Sequence, residues 1–204
     1  TLLNLIAGDL RPDAGTVVLN GVDVTRRPAH VRCHLGIGRT SQIPRPFEGL
    51  TVFENVLVGS TFGAGREKRS AGSRSVEATA VVALERIGML GRADTLAGAL
   101  TLLERKRLEL ARALATEPTL LLLDEIAGGL TEAEVLDLVA TIRDIRETGV
   151  AVVWIEHIVH ALLRVVDRMI AVDFGRKLIE GPPADVMASD EVRSVYLGED
   201  IEVA

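Results

Sequence analysis

The sequence predicts an α/β protein built on a parallel β-sheet, and three observations carry that prediction. An apolar run, Leu120-Leu121-Leu122-Leu123, follows Pro118 and ends abruptly in two adjacent carboxylates, Asp124 and Glu125. It reads as a short strand buried on both faces. A second apolar run, Val150-Ala151-Val152-Val153-Trp154-Ile155, reads as another buried strand and ends in Glu156-His157. Between them a helical segment, Val135 to Arg146, is opened by the capping box of Thr131-Glu132-Ala133-Glu134 and closed by Thr148-Gly149. Strand, helix and strand within about forty residues form a βαβ crossover, so the strands are expected to be parallel neighbours with both carboxyl ends on one rim. Such rims are where open α/β sheets place their chemistry, which brings Asp124, Glu125 and His157 together.

Before the first strand, TLLNLIAG has helical spacing, with Gly8 as its stop and nothing preceding it to cap it. A chain that opens inside a helix is expected to be a fragment. DLRPDAG is turn chemistry, and Asn20-Gly21 between TVVL and VDVT favours a hairpin. Leu35 and Ile37 mark a short apolar segment leading to Gln42, which Pro44 and Pro46 place at a strand-to-loop junction.

Thr51-x-x-Glu54 is a capping box that starts a helix. Gly59 to Ser75, rich in Gly, Ser and Arg, reads as a mobile connector. Val76 to Met89 and Arg105 to Ala115 have helical spacing, the latter with Arg105, Lys106, Glu109 and Arg112 mostly on a solvated side. Together, residues from about 59 to 115 form a candidate helical subdomain within a single domain spanning 1–204. Beyond the second strand, Ala161 to Val166 reads as a helix. Met169–Asp173 and Lys177–Ile179 read as a hairpin, and a short helix is expected from Ala184.

Composition narrows the function. A 204-residue chain can bury a substantial core. Hydrophobic content is 48%, yet no apolar stretch approaches the ~20 residues that cross a bilayer. Net charge is −6 with dispersed basic residues, which excludes an evident phosphate-backbone footprint and argues against nucleic acid as a partner. The single cysteine, Cys33, excludes an internal disulfide framework and a Cys-cluster metal site, consistent with a reducing cytoplasm.

Asp124 and Glu125, as adjacent strand residues, are expected to point to opposite sides and do different work. On residue type alone, each candidate keeps a bland alternative. The acidic strand end could simply be solvated, Gln42 could be a loop amide, and His157 a satisfied partial-core residue.

Taken in order, the motifs resemble the ATP-binding cassette (ABC) ATPases over nearly the whole length. Gln42 matches the Q-loop, Asp124 and Glu125 the Walker B pair, Gly129-Leu130-Thr131 the D-loop and His157 the switch histidine. RTSQIPRPFEGLTVFENVLVG, ARALATEPTLLLLDE, WIEH and YLGED resemble the cytoplasmic ATPase subunits of branched-chain amino-acid uptake systems.

The resemblance implies a P-loop NTPase-like parallel sheet core with a helical subdomain and an N-terminally truncated antiparallel β lobe. It also implies ATP and Mg²⁺ as ligands. Asp124 would hold Mg²⁺ through water, with Gln42 near the same ion; Glu125 would polarise the attacking water and His157 would hydrogen-bond the γ-phosphate. Partners would be transmembrane permease subunits and a second ATPase subunit, at the cytoplasmic face of the inner membrane.

Two departures from the family pattern stand out. The Walker A loop, Gly-x-x-Gly-x-Gly-Lys-Ser/Thr, supplies backbone amides and a lysine to the phosphates. In the family it directly precedes TLLNLIAG, so Thr1 matches the residue after its Mg²⁺-binding Ser/Thr. Without that loop the chain as given is expected not to hydrolyse ATP. The signature Leu-Ser-Gly-Gly-Gln aligns with Leu100-Thr101-Leu102-Leu103-Glu104. There Thr101 keeps a hydroxyl, two leucines replace glycines, and Glu104 puts a negative charge where an anion should sit. Ile126, where many relatives have proline, and Thr131, where an acid or Asn is usual, are milder changes.

A rival expectation is a non-catalytic assembly or docking subunit. A soluble ABC ATPase acting on DNA or ribosomes would need a basic face or a long coiled-coil insertion, and the sequence has neither.

Overall fold

The computed structural model describes residues 1–63 and 74–197. Most of the predicted Gly59–Ser75 connector and the end of the tail lie outside the described residues. The chain divides into two compact units, 1–158 and 159–204, and the site lies in the first.

At the centre of the first unit is a parallel sheet of β3 (Ile37–Arg39), β4 (Leu120–Asp124) and β5 (Ala151–Ile155), with β4 in the middle. Arg39 is in register with Leu122, and Asp124 with Ile155. As expected of a central strand, Leu121, Leu122 and Leu123 are completely buried. β5 departs from expectation. It pairs on one side only among the described residues, and its burial alternates, with Val153 37% exposed. β-branched composition marks it as a strand but does not count its neighbours.

Helix α1 (Leu2–Ala7) packs on β4 and contributes Leu3 and Ala7 to a cluster with Ile37 and Leu122. Gly8 ends it in the left-handed region, at φ 89°. The antiparallel pair β1 (Val18–Leu19) and β2 (Val22–Asp23) turns through Asn20 and Gly21, both at positive φ, as the Asn-Gly hairpin signal requires. α2 (Ala29–His34) then carries Arg32, which is 1% exposed. Its guanidinium donates to the carbonyls of Leu5 and Ile6 at the end of α1, and to those of Thr25 and Arg27. One buried cation thereby satisfies carbonyls that α1 leaves without intrahelical partners.

Three helices pack on one another: α3 (Val52–Phe62), α4 (Val76–Arg86) and α5 (Leu102–Ala115). Thr51 and Glu54 form the expected capping box. α3 continues through Gly59 to Phe62, into the stretch expected to be connector. The glycine there serves packing: a Cβ at Gly59 would stand 2.4 Å from the Arg112 carbonyl oxygen on α5, so its absence lets the two backbones approach. α4 ends three residues before Met89, at Arg86, with Gly88 at φ 69°.

α5 corrects two expectations. It begins at Leu102 rather than Arg105, because Thr101 and Glu104 form a reciprocal capping box. Lys106 and Glu109 are buried, at 5% and 7% exposure, instead of solvated. α5 is flanked by α3, α4 and β3, which leaves it too little free surface for a fully solvated face. Glu109 spends its carboxylate on the Arg45 N–H and the Arg112 guanidinium, while Arg112 stacks on Phe47 at 4.9 Å. α6 (Glu132–Glu147) opens with the expected Thr131–Glu134 box and connects β4 to β5.

In the second unit, α7 (Val159–Leu162) is a single turn, where Ala161 to Val166 was expected to be helical; Val165 and Val166 both donate back to Leu162 in a tight turn. β6 (Met169–Asp173) and β7 (Arg176–Gly181) make the predicted hairpin, turning through Phe174 and Gly175 at positive φ. α8 (Pro183–Ala188) and α9 (Asp190–Val192) follow.

Candidate functional site

β4 ends at Asp124, and Glu125 stands just beyond it with φ 45°, a left-handed conformation uncommon for a residue with a side chain. The Glu125 N–H donates to the Ile155 carbonyl at 2.8 Å, which fixes this turn against the end of β5. The two acids therefore diverge because of a turn, not because adjacent residues alternate along one strand. Backbone strain of this kind is often found at functional sites.

Each acid has its own partners. Asp124 accepts from Arg39 at 3.2 Å, and the other Arg39 nitrogen donates to Asp9 at 2.6 Å. Glu125 accepts a hydrogen bond from the Gln42 side-chain amide. His157 Nδ1 lies 4.0 Å from the same Glu125 oxygen. The rim thus brings Gln42, Glu125 and His157 into one cluster and places Asp124 beside them in a separate ion pair. Glu125 and His157 side chains are 35% and 67% exposed, open enough to meet a solute.

The other candidates stand at helix starts or in the loop between β4 and α6. Thr1 is exposed at the N-cap of α1, without a side-chain cap bond. Thr131 caps α6, and Gly129 holds φ 77° in the preceding loop. Thr101 caps α5, its hydroxyl accepting the Glu104 N–H. A Cβ at Gly129 would stand 3.2 Å from Leu102 Cδ2, so the 100–104 segment packs against the loop after β4.

The charge on Glu104 is also less exposed to an incoming anion than its sequence position suggests. The carboxylate accepts the Thr101 N–H at 2.9 Å and pairs with Arg92 at 2.9 Å. The Thr101 backbone bond, with help from Arg92, holds its pKa below the ordinary value.

Three residues escape detection by motif. Arg39 touches the Asp124 carboxylate. The Glu156 side chain is fully buried and accepts the backbone N–H groups of Ala127, His157 and Ile158. Lys106, on α5, is buried with its pKa lowered by desolvation, against which the charge of Glu156 acts. The usable signal lay in Glu156, a charged residue entering directly from an apolar strand, since such residues are seldom buried without partners. Arg39 and Lys106 carry no local signal.

Residues 1–128 match the family model described as ABC transporter. The chain is 34% identical over 203 residues to the lipopolysaccharide export system ATP-binding protein LptB of Haemophilus influenzae, covering 100% of this chain and 82% of that one. It is also 34% identical over 209 residues to the high-affinity branched-chain amino acid transport ATP-binding protein BraF of Pseudomonas aeruginosa, covering 98% and 82%. The fold superposes on the ADP conformation of MJ1267, an ATP-binding cassette of an ABC transporter, with a TM-score of 0.83 and 28% identity, covering 97% of this chain and 82% of that one. With its α/β sheet core and its acids, glutamine and histidine gathered on one rim, the chain belongs to the ABC transporter ATP-binding proteins, a family of ATPases that couple hydrolysis to transport.

Proposed function

We propose that the rim formed by Gln42, Asp124, Glu125 and His157 is the site of ATP hydrolysis in this subunit. The contact of Gln42 and His157 with one Glu125 oxygen carries this reading. Glu125 is the group that polarises the attacking water, and Gln42 and His157 orient it from two sides. His157 also supplies a hydrogen bond to the terminal phosphate.

Asp124 and the Gln42 amide oxygen suit a magnesium ion that arrives with its nucleotide. Among the described residues no group of three or more His, Cys, Asp or Glu side chains forms a metal cage. Mg²⁺ favours just such sparse sites, with one or two protein oxygens completed by water and phosphate. When bound, it would neutralise charge developing on the phosphate oxygens.

Thr1, Thr101, Gly129 and Thr131 are proposed contacts to nucleotide or to a second ATPase subunit, with the 100–104 segment of one subunit facing the nucleotide of the other. Residues of about 59–115 form the proposed helical subdomain, which the mutual packing of α3, α4 and α5 supports. The permease subunit is proposed to dock beside the Gln42 loop, where Ile43 and Phe47 are exposed and Arg112, over the Phe47 ring, lines a cavity of about 390 Å³ with Val58, Phe62 and Glu109. With such a partner, the subunit is proposed to work at the cytoplasmic face of the inner membrane.

The cargo we propose is branched-chain amino acids, moving inward, on the likeness to BraF. Export of a lipid-linked glycan is the second reading, since LptB is equally identical at 34%. Uptake of labelled leucine lost on deletion of the gene supports the first; unchanged uptake sinks it.

No Gly-x-x-Gly-x-Gly-Lys-Ser/Thr motif occurs within residues 1–204. We infer that these residues alone do not hydrolyse ATP, because the remaining acids repel a polyphosphate. Micromolar, Mg²⁺-dependent nucleotide binding by the 204-residue chain would contradict this. A non-catalytic docking role is the alternative, and ATP turnover by the subunit assembled with its permease would exclude it.

A further inference from the structure

A buried carboxylate is costly unless its oxygens are hydrogen-bonded, and the fully buried side chain of Glu156 has both oxygens so engaged. Oε2 accepts the N–H of Ala127 at 3.0 Å, in the loop that leads away from Glu125. Oε1 accepts the N–H groups of His157 at 3.0 Å and Ile158 at 3.4 Å, in the loop that follows β5. The His157 ring nitrogen Nδ1 lies 3.3 Å from the same Oε1.

No ladder does this work. β4 stops at Asp124 and β5 at Ile155, and among the described residues the bond from Glu125 N–H to the Ile155 carbonyl is the last main-chain link between them. Beyond it, the two loops are joined by a side chain. Lys106, buried on the helix that starts at the 100–104 segment, supplies a balancing cation, and the charge of Glu156 opposes the desolvation that lowers its pKa.

Building on the ATPase reading above, we propose that Glu156 is a positioning residue: its carboxylate ties the loop after β4 to the loop after β5 and so sets His157 against Glu125. All three donors are backbone amides that converge on one buried carboxylate, so removing the acceptor leaves them without that partner. The reacting groups would drift by distances to which phosphoryl transfer is sensitive.

Amide hydrogen exchange on the 204-residue chain, read by NMR, tests the tie without requiring turnover. In Glu156→Ala the amides of Ala127 and His157 should exchange about tenfold faster or more, while those within α4 stay unchanged. In the subunit assembled with its permease, the same variant should lose about tenfold or more in kcat, with KM within about twofold of wild type. Glu156→Gln keeps one carbonyl acceptor, so one of the two amides should remain protected and kcat should lie between the others. This variant carries the test if Glu156→Ala does not fold. Wild-type exchange at both amides, or wild-type kcat, in either variant overturns the proposal. An assembled wild-type subunit without ATP turnover would sink the ATPase reading instead, and the exchange rates would then decide the loop tie by themselves.

Discussion

The side-chain amide of Gln42 donates to the carboxylate of Glu125, 83 residues away in the sequence, and the same oxygen is 4.0 Å from Nδ1 of His157. Three groups from the ends of three neighbouring strands thereby meet at one carboxylate oxygen, which belongs to the middle one. Glu125→Gln retains the side chain's shape but removes the basic oxygen. ATP turnover by the assembled subunit should fall about a hundredfold or more, while nucleotide affinity measured by equilibrium titration stays near wild type. Equal losses in binding and turnover would count against Glu125 as the water-polarising group.

Arg39 holds the other acid. It bridges Asp9 at 2.6 Å and Asp124 at 3.2 Å, with its own side chain 25% exposed. A cation approaching Asp124 meets a guanidinium already there. Arg39→Gln should lower the Mg²⁺ concentration for half-maximal turnover by about threefold, the size expected for a partly exposed ion pair. A Mg²⁺ titration at fixed ATP checks it, and a raised requirement would show that Arg39 assists the ion instead of competing with it.

What the sequence discloses is largely what a strand or a capping box discloses locally. The leucine run, the Val150–Ile155 run and the Thr131 box together fix the crossover that places Asp124, Glu125 and His157 on one rim. Arg39, Lys106 and Arg32 were not legible, because each acts on partners that only tertiary structure brings near. Thr101 and Glu104 have the Thr-x-x-Glu spacing of a capping box, but they fall where the family places its signature motif, so the local signal competes with the family pattern. Lys106 and Glu109 show the complementary limit: helical spacing identifies an apolar face, but packing decides whether the opposite face meets water.

Arg32 offers a stability prediction independent of catalysis. Its guanidinium donates to four backbone carbonyls, two of them at the end of α1, and a Cβ at Gly8 would stand 2.7 Å from its Nε. Arg32→Met keeps much of the volume and leaves those carbonyls without a donor. Unfolding free energy should drop by about 3 kcal/mol or more, measured by urea denaturation. Arg32→Lys should recover only part of it, since one ammonium cannot reproduce the planar fork.

Glu104 gives the 100–104 segment a pH dependence. Its carboxylate accepts the Thr101 N–H and pairs with Arg92, and these contacts hold its folded-state pKa below the ordinary 4.5. The folded chain therefore binds this proton less readily than the unfolded chain. The resulting stabilisation is fully present above the unfolded value and is lost as pH falls through the lowered folded value. Thermal midpoints taken from about pH 6 down to about pH 3 should fall less steeply for Glu104→Gln than for wild type, because the neutral amide has no proton to gain. Parallel curves would mean that the capping box contributes no ionic stabilisation and that Glu104 is held there by geometry alone.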